Sequence, residues 1–293
     1  MLYVVLTIVL TMLAGCTSTQ TQSSAPENFV TVATFNTEWL GDGVNDRVVR
    51  SDADYLRIAD IIAKTEADVI GLQEVENTSA LRKLLRYLDG YQGVLVDAGS
   101  PQQCAVIYQK SVTIDTSWLY RPLAIQPERH RPGLVVHCRK GNLDWLMMVV
   151  HLKSTSRYDS TPALRDQSRI DRSAQAEVVS RWVDSTAKAG KETDILIVGD
   201  FNDFPLRKQN ATLTALTESG TVTFLTEKLK SCRSPQLYVI DHVAASASAA
   251  RRFVRESERT ENFYAFLPDE DARKISDHCP VIVRFDVTAP DND

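Results

Sequence analysis

The chain has 293 residues, 43% hydrophobic and 24% charged, with a formal net charge of −5. This composition excludes a disordered, collagen-like or polytopic membrane protein. The negative balance excludes a basic wrapper of nucleic acid, so any anion-binding site must be local.

Residues 1–15 read MLYVVLTIVLTMLAG and carry no charge. A membrane-spanning helix needs about 20 apolar residues, so the run is short for one. It suits the apolar region of a secretory signal. It ends in Leu13-Ala14-Gly15-Cys16, which resembles a bacterial lipobox. That resemblance implies cleavage before Cys16, lipid on its thiol and a membrane anchor in the cell envelope. The first basic residue is Arg47, so the usual basic start of a signal is missing. Thr17 after Cys16 favours, by analogy, the outer membrane of a two-membrane bacterium. Residues 16–28 have little to bury and read as a flexible tether. Export places Cys104, Cys138, Cys232 and Cys279 in an oxidising compartment, with three pairings possible. No CxxC pair exists, so a structural zinc site is not expected.

In chain order, strand-like runs are Val30–Phe35, Val69–Leu72, Ala105–Tyr108, Leu134–Val136, Trp145–Val150, Ile195–Val198, Leu237–Ile240 and Val281–Phe285. Helical patterns cover Asp52–Lys64, Ser79–Leu88, Ala163–Lys188 and, weakly, Asn210–Glu218. In the third, Ile170, Ala174, Val178 and Trp182 form one apolar stripe. Several strands are apolar at consecutive positions, which predicts cover on both faces. The economical architecture is a sheet core with helices outside. Residues 288–293 read as a loose tail.

Apolar runs repeatedly stop at a polar residue. Val32–Phe35 stops at Asn36, Val69–Leu72 at Gln73-Glu74, and Leu146–Val150 at His151. Ile195–Gly199 stops at Asp200-Phe201-Asn202, and Leu237–Ile240 at Asp241. In the last case Asp277 and His278 precede the run, which suits an antiparallel strand entering from the same edge. Glu74, Asp200, Asp241 and Asp277 would then share one rim with Asn36, Asn202, His151 and His278. Crowded carboxylates raise one another's pKa unless a cation neutralises them. Oxygen ligands suit a hard cation, so magnesium is the natural occupant, with manganese or calcium as substitutes. Two histidines beside it fit hydrolysis of a phosphate ester.

The motifs TFNTEWL, IGLQEVEN, VVHLKS, Gly199-Asp200-Phe201-Asn202, Ile240-Asp241-His242 and Ser276-Asp277-His278 together resemble the endonuclease/exonuclease/phosphatase superfamily, the DNase I-like fold. The resemblance spans residues 29–287. It implies a four-layer α/β sandwich, with two central mixed β-sheets flanked by helices, as a single, monomeric domain. It implies Glu74 as principal metal ligand, with Asn36 beside it and Asp277 as a further ligand. Asp200 and Asn202 would position or deprotonate the attacking water. His278 would be the essential histidine with Asp241 as its orienting carboxylate, and His151 would face the phosphate or leaving oxygen. VVHLKS looks closer to the secreted nuclease and lipid-phosphodiesterase branches than to the abasic-site repair branch. In this fold the strands near Cys232 and Cys279 are neighbours, which suggests a Cys232–Cys279 bridge and leaves Cys104 and Cys138 for another.

Arg131 and Lys153 are candidates for phosphate contact. Arg165, Arg169 and Arg172 share a helix face, but Asp166 and Asp171 interleave with them, so a solvated face is the simpler reading. Alternation turns His242 away from Asp241, into packing. His130 and His137 carry no motif, and Trp39 reads as packing. The leading expectation is an envelope phosphodiesterase acting on nucleic acid. The rivals are a phosphatase or phosphodiesterase for lipid headgroups or small phosphate esters, and a binding lipoprotein without catalysis.

Overall fold

The structure is a computed structural model that describes residues 28–291. The signal run, the lipobox with Cys16 and the tether as far as residue 27 lie outside the described residues, as do residues 292 and 293. Among the described residues, no helix is long and apolar enough to cross a membrane.

The strands are β1 (Phe29–Leu40), β2 (Val69–Val75), β3 (Tyr91–Val94), β4 (Gln103–Gln109), β5 (Thr113–Tyr120), β6 (Gly133–Lys140), β7 (Leu143–His151), β8 (Ile195–Asp200), β9 (Thr223–Phe224), β10 (Asp241–Ala245), β11 (Arg259–Thr260) and β12 (Val281–Asp286). The helices are α1 (Asp52–Lys64), α2 (Thr78–Leu85), α3 (Pro162–Ala189), α4 (Thr214–Thr217), α5 (Ala247–Arg251) and α6 (Asp269–Ile275). One sheet runs β11-β12-β1-β2-β4-β3 and the other β5-β6-β7-β8-β10-β9. Each is mixed, because β1 pairs with β2, and β7 with β8, in parallel.

The burial pattern explains the layers. Within β1, Val30 and Val32 face the second sheet, while Ala33 and Phe35 face α1 and α2. Successive strand residues point to opposite faces, so a strand covered on both sides must be apolar at every position. The inter-sheet layer holds Val32, Val69, Val106, Trp145, Val149 and Val198. Beyond the second sheet, α3 sets Val179, Trp182 and Val183 on Ile195 and Ile197. The result is the four-layer α/β sandwich.

Local chemistry sets the helix ends. Ser51 and Asp54 form a reciprocal capping box at the start of α1. In α3, Thr161 caps, Pro162 takes the first turn and Gly190 closes the end at φ 67°. The α1 range is the one read from the sequence. Helix α2 stops at Leu85, earlier than the expected Leu88, because Arg86, Tyr87 and Leu88 tighten into i→i−3 bonds. The expected helix at Asn210–Glu218 shrinks to the single turn α4.

Three expectations need correction. Leu237–Ile240 is not a strand ending at Asp241. It is the return arm of a tight loop in which Ser231 N donates to Leu237 O and Val239 N to Leu229 O. Leu237 is 57% exposed, so the apolar run is not a buried one. Asp241 instead opens β10, which runs away from the rim. The tail is not loose as far as Asp291. Asn142 donates to Thr288 O, and Arg252 to the carbonyls of Ala289 and Pro290. Finally, Cys232 and Cys279 are bonded, but Cys104 and Cys138 are free thiols buried in the inter-sheet core. The bonded pair does not join strands of one sheet, since β10 and β12 belong to different sheets.

Candidate active site

Strand register builds the rim. In the second sheet His151 stands beside Asp200 across the parallel β7–β8 pair, and Asp241 faces Asp200 across the antiparallel β8–β10 pair. Gly199 lets β8 come this close. Its φ is +145°, and a Cβ there would meet Val150 O at 2.0 Å. In the first sheet, β1 and β2 are regular as far as Asn36 and Gln73 and then shift register. The shift turns Glu38, Trp39 and Glu74 into the left-handed region, at φ 45°, 56° and 64°. Such bulges re-aim side chains. Because β1 packs on β8 and β10, and β2 on β7 and β8, the two rims coincide.

The side chains form a connected network. Asn36 Nδ2 donates to Glu74 Oε1 at 3.3 Å and to Asp200 Oδ2 at 3.2 Å. Glu74 Oε2 accepts from Trp39 N at 3.2 Å and from Gln102 Nε2 at 2.6 Å. His151 Nε2 lies 3.8 Å from Glu74 Oε1 and 3.6 Å from Asp200 Oδ2. Asp200 Oδ1 accepts from Asn202 N at 2.7 Å, and Asn202 Nδ2 donates to Leu152 O at 3.0 Å. Beside this network His278 Nδ1 lies 2.7 Å from Asp241 Oδ2. The orienting partner of His278 is thus Asp241. His151 Nδ1 is buried with no hydrogen-bond partner among the described residues.

Electrostatics separates the two histidines. Burial, then the charges of Arg131 and His278, hold His151 well below its usual pKa, so it is neutral. Burial opposes a charge on His278, but the carboxylates of Asp241, Asp200 and Asp277 together outweigh it, Asp241 foremost, and raise His278 well above its usual value. Burial, then Asp241, push the Asp200 carboxyl up to about 7. A carboxyl with a raised affinity for a proton, a neutral imidazole and an imidazolium therefore meet at one place.

The donor chemistry fits a hard divalent cation. Glu74 and Asp200 offer carboxylate oxygen atoms, Asn36 holds them through Nδ2 while its Oδ1 accepts from Glu38 N, and Asp241 Oδ1 is buried with no hydrogen-bond partner among the described residues. Atoms of Asp200, Asp241 and His278 also lie within 4.8 Å of one another. That trio reads as a proton relay, because His278 Nδ1 is engaged by Asp241. Asp277 lies on the His278 side of the site. Its side chain is 43% exposed and lies 3.7 Å from His278 Nε2 and 3.6 Å from Arg233 Nη1.

The phosphate-contact candidates divide. Arg131 reaches the network indirectly, donating to Gln102 O and Oε1, and Gln102 in turn holds Glu74. Lys153 is turned toward its own loop, against Asp159 and Ser154 O. Of the three helix arginines, Arg172 is not solvated. It is buried and donates to Thr212 Oγ1 and Lys153 O, while Arg165 holds the Asp159 and Ser160 carbonyls and Arg169 pairs with Asp166. His242 packs edge-on against Phe201 and Phe224, with Nδ1 3.1 Å from Thr226 Oγ1.

Two positioning residues, Arg50 and Gln102, carry no signal in the sequence. Arg50 is buried and donates to five carbonyls: Thr37, Glu38 and Trp39 after Asn36, and Lys274 and Ile275 before Asp277. It satisfies the carbonyls left over by the β1 bulge and by the end of α6. Ser276 Oγ makes a second clasp, donating to Asn36 O at 2.7 Å and accepting from His278 N at 3.0 Å. Together they fix the distance between the Asn36 end of β1 and His278. Arg50 stands outside every motif, so only the fold reveals it. Gln102 is silent in the sequence for the same reason.

Two clefts lie near these residues. The larger, about 810 Å³, is walled by residues 231–241 with Tyr264, Arg273 and His278. The smaller, about 390 Å³, lies beside Arg131.

Comparison with known proteins agrees with this geometry. Residues 33–278 match the model of the Endonuclease/Exonuclease/phosphatase family. No curated protein matches the chain by sequence. Among solved structures, a family protein from Bacteroides thetaiotaomicron is 19% identical, with TM-score 0.60 over 90% of this chain and 98% of that one. A mannosyl-6-phosphatase from Bacteroides thetaiotaomicron is 19% identical, with TM-score 0.59 over 87% and 98%. A humanized D. rerio TDP2 is 18% identical, with TM-score 0.63 over 89% and 100%. At such identities these likenesses speak for the fold alone. The family match covers the rim from β1 to His278, and on it the chain belongs to the endonuclease/exonuclease/phosphatase family.

Proposed function

We propose that the chain is a magnesium-dependent phosphodiester hydrolase acting on nucleic acid. The observation that carries this reading is the Asp241–His278 pair set directly beside the Glu74–Asn36–Asp200 network on one open rim. The larger cleft is lined by Asp241 and His278 and the smaller by Arg131, which leaves room for a phosphate carrying a second substituent, as in a diester. Glu74 and Asn36, with Asp277 at the edge, would hold the metal, which when bound offsets charge on the phosphate. Asp200, steered by Asn202, takes a proton from the attacking water. His278, held by Asp241, places positive charge beside the phosphoryl oxygens as negative charge grows there. His151 offers a hydrogen bond to a phosphoryl or leaving oxygen.

The test uses supercoiled plasmid, single-stranded DNA and RNA, with magnesium, with chelator, and with His278→Ala. Metal-dependent cleavage lost in the variant is the expected result. Folded protein that binds magnesium and cuts no polymer would overturn the nucleic-acid reading. Hydrolysis confined to phosphomonoesters would reassign the site to a phosphatase.

For the N-terminal run we propose lipid attachment at Cys16 and residence at an envelope membrane. Cys16→Ser should move the protein from the membrane fraction to the soluble one. An unchanged distribution would remove the anchor.

A further inference from the structure

The smaller cleft is walled by residues 98–101, by Arg121 and Ala124, and by residues 127–132. Three guanidinium groups, Arg121, Arg129 and Arg131, line it against one carboxylate, Glu128. The chain as a whole is negative, so this concentration is local. Arg131 is engaged by Gln102. Arg121 and Arg129 are exposed, and among the described residues their side chains form no ion pair, hydrogen bond or ring contact. Many other surface arginines are matched: Arg139 by Asp115, Arg181 by Glu177 and Arg273 by Asp269. Unmatched cations crowded in a concave wall repel one another, and an anion relieves the repulsion.

Side-chain hydrogen bonds tie the cleft to the rim. Arg131, at its inner end, bonds Gln102, and Gln102 bonds Glu74. Arg129 lies close enough to act electrostatically on Lys153, two residues after His151. His130 closes the back of the cleft without adding charge, since its Nδ1 accepts from Gln126 N and its Nε2 faces Asp171 at 3.3 Å. The larger cleft differs. There Arg233 and Arg273 lie 3.6 and 2.8 Å from Asp277 and Asp269, so the charges are matched inside the wall.

We propose that Arg121 and Arg129 form a subsite for a second phosphate of the substrate, the one next to the scissile phosphate on the Glu74 side of a phosphodiester chain. The inference rests on the phosphodiesterase reading and gives it a direction: the strand runs with a phosphate into the arginine cleft. Guanidinium forks bind phosphate oxygens in pairs, which suits two unmatched arginines to this ligand.

The test is binding of a labelled single-stranded DNA with magnesium present, in a His278→Ala background that prevents cutting. Arg121→Ala with Arg129→Ala is compared with Arg181→Ala with Arg251→Ala, which removes the same charge from exposed helix surfaces elsewhere. The cleft pair should weaken binding about tenfold at low salt and flatten the salt dependence by a slope of about 0.7, the value for one single-strand phosphate no longer neutralised. The control pair should stay within about twofold of its parent, as surface charges remote from the bound strand do. Equal behaviour of the two pairs, or no strand binding at all, overturns the subsite. Hydrolysis of bis(4-nitrophenyl) phosphate by protein with His278 intact reports on the activity by itself. Hydrolysis with no arginine dependence keeps the enzyme and removes the subsite. Arginine-dependent binding with no hydrolysis does the reverse.

Discussion

Asp241 stands directly opposite Asp200 across the β8–β10 pair, and only Asp241 has an imidazole at hydrogen-bond distance, with His278 Nδ1 at 2.7 Å. Two carboxylates so placed cannot share the negative charge equally. Asp241 keeps it by pairing with His278, and Asp200 is left with a raised affinity for a proton. The strand register therefore assigns the two acids different work.

Asp241→Asn keeps the shape of this pair and removes its charge. It should lower kcat about 10²–10⁴-fold, the usual range for a lost acid–base partner, with little change in melting temperature. Steady-state kinetics on a diester substrate checks this. A variant within a few-fold of the parent would take Asp241 out of the reaction.

Arg50→Lys keeps the charge but cannot reach five carbonyls. Carbonyls left unpaired in a buried place cost about 1–3 kcal/mol each, partly recovered by water. The variant should lose several kcal/mol of stability, read by urea unfolding. In the folded fraction kcat should fall more than KM rises, because the distance from Asn36 to His278 relaxes.

The Cys232–Cys279 bond closes a loop of 47 residues and follows His278 directly. Replacing both cysteines by serine should cost about 2–4 kcal/mol. Reductant should lower the melting temperature of the parent and leave the double variant unmoved. Cys104 and Cys138 should resist alkylation in the folded state, since both are buried and burial pushes the Cys104 thiol up to about 12.

His242 is fully buried, and burial lowers its pKa to about 3. Unfolded, it titrates near 6.5, so between pH 3 and 6.5 the unfolded chain binds the extra proton. Its contribution to stability is complete above that window and is lost as pH falls through it, at up to about 1.4 kcal/mol per pH unit. His242→Gln should be less stable at neutral pH and show a shallower acid dependence. Parallel profiles for the two proteins would remove His242 as a source of acid sensitivity.

Much of this protein is legible in the sequence because the physics there is local. Apolar runs that meet cover on both faces write out β1, β2, β7 and β8, and a capping box writes the start of α1. Asn36, Glu74, His151 and Asp200 are visible because each is a polar residue that interrupts such an apolar run. The edge strands β3 and β5 are not visible, since their mostly exposed side chains leave no apolar run to read. Nor is the true direction at Asp241. An apolar stretch has the same composition whether it ends a strand or returns from a loop, and only pairing with β8 distinguishes them. The roles of Arg50, Gln102 and the Arg121–Arg129 cleft were decided by the tertiary structure alone. An arginine looks the same in sequence whether it meets water, five carbonyls or the wall of an anion cleft. What it does depends on which distant backbone the packing of two sheets brings beside it.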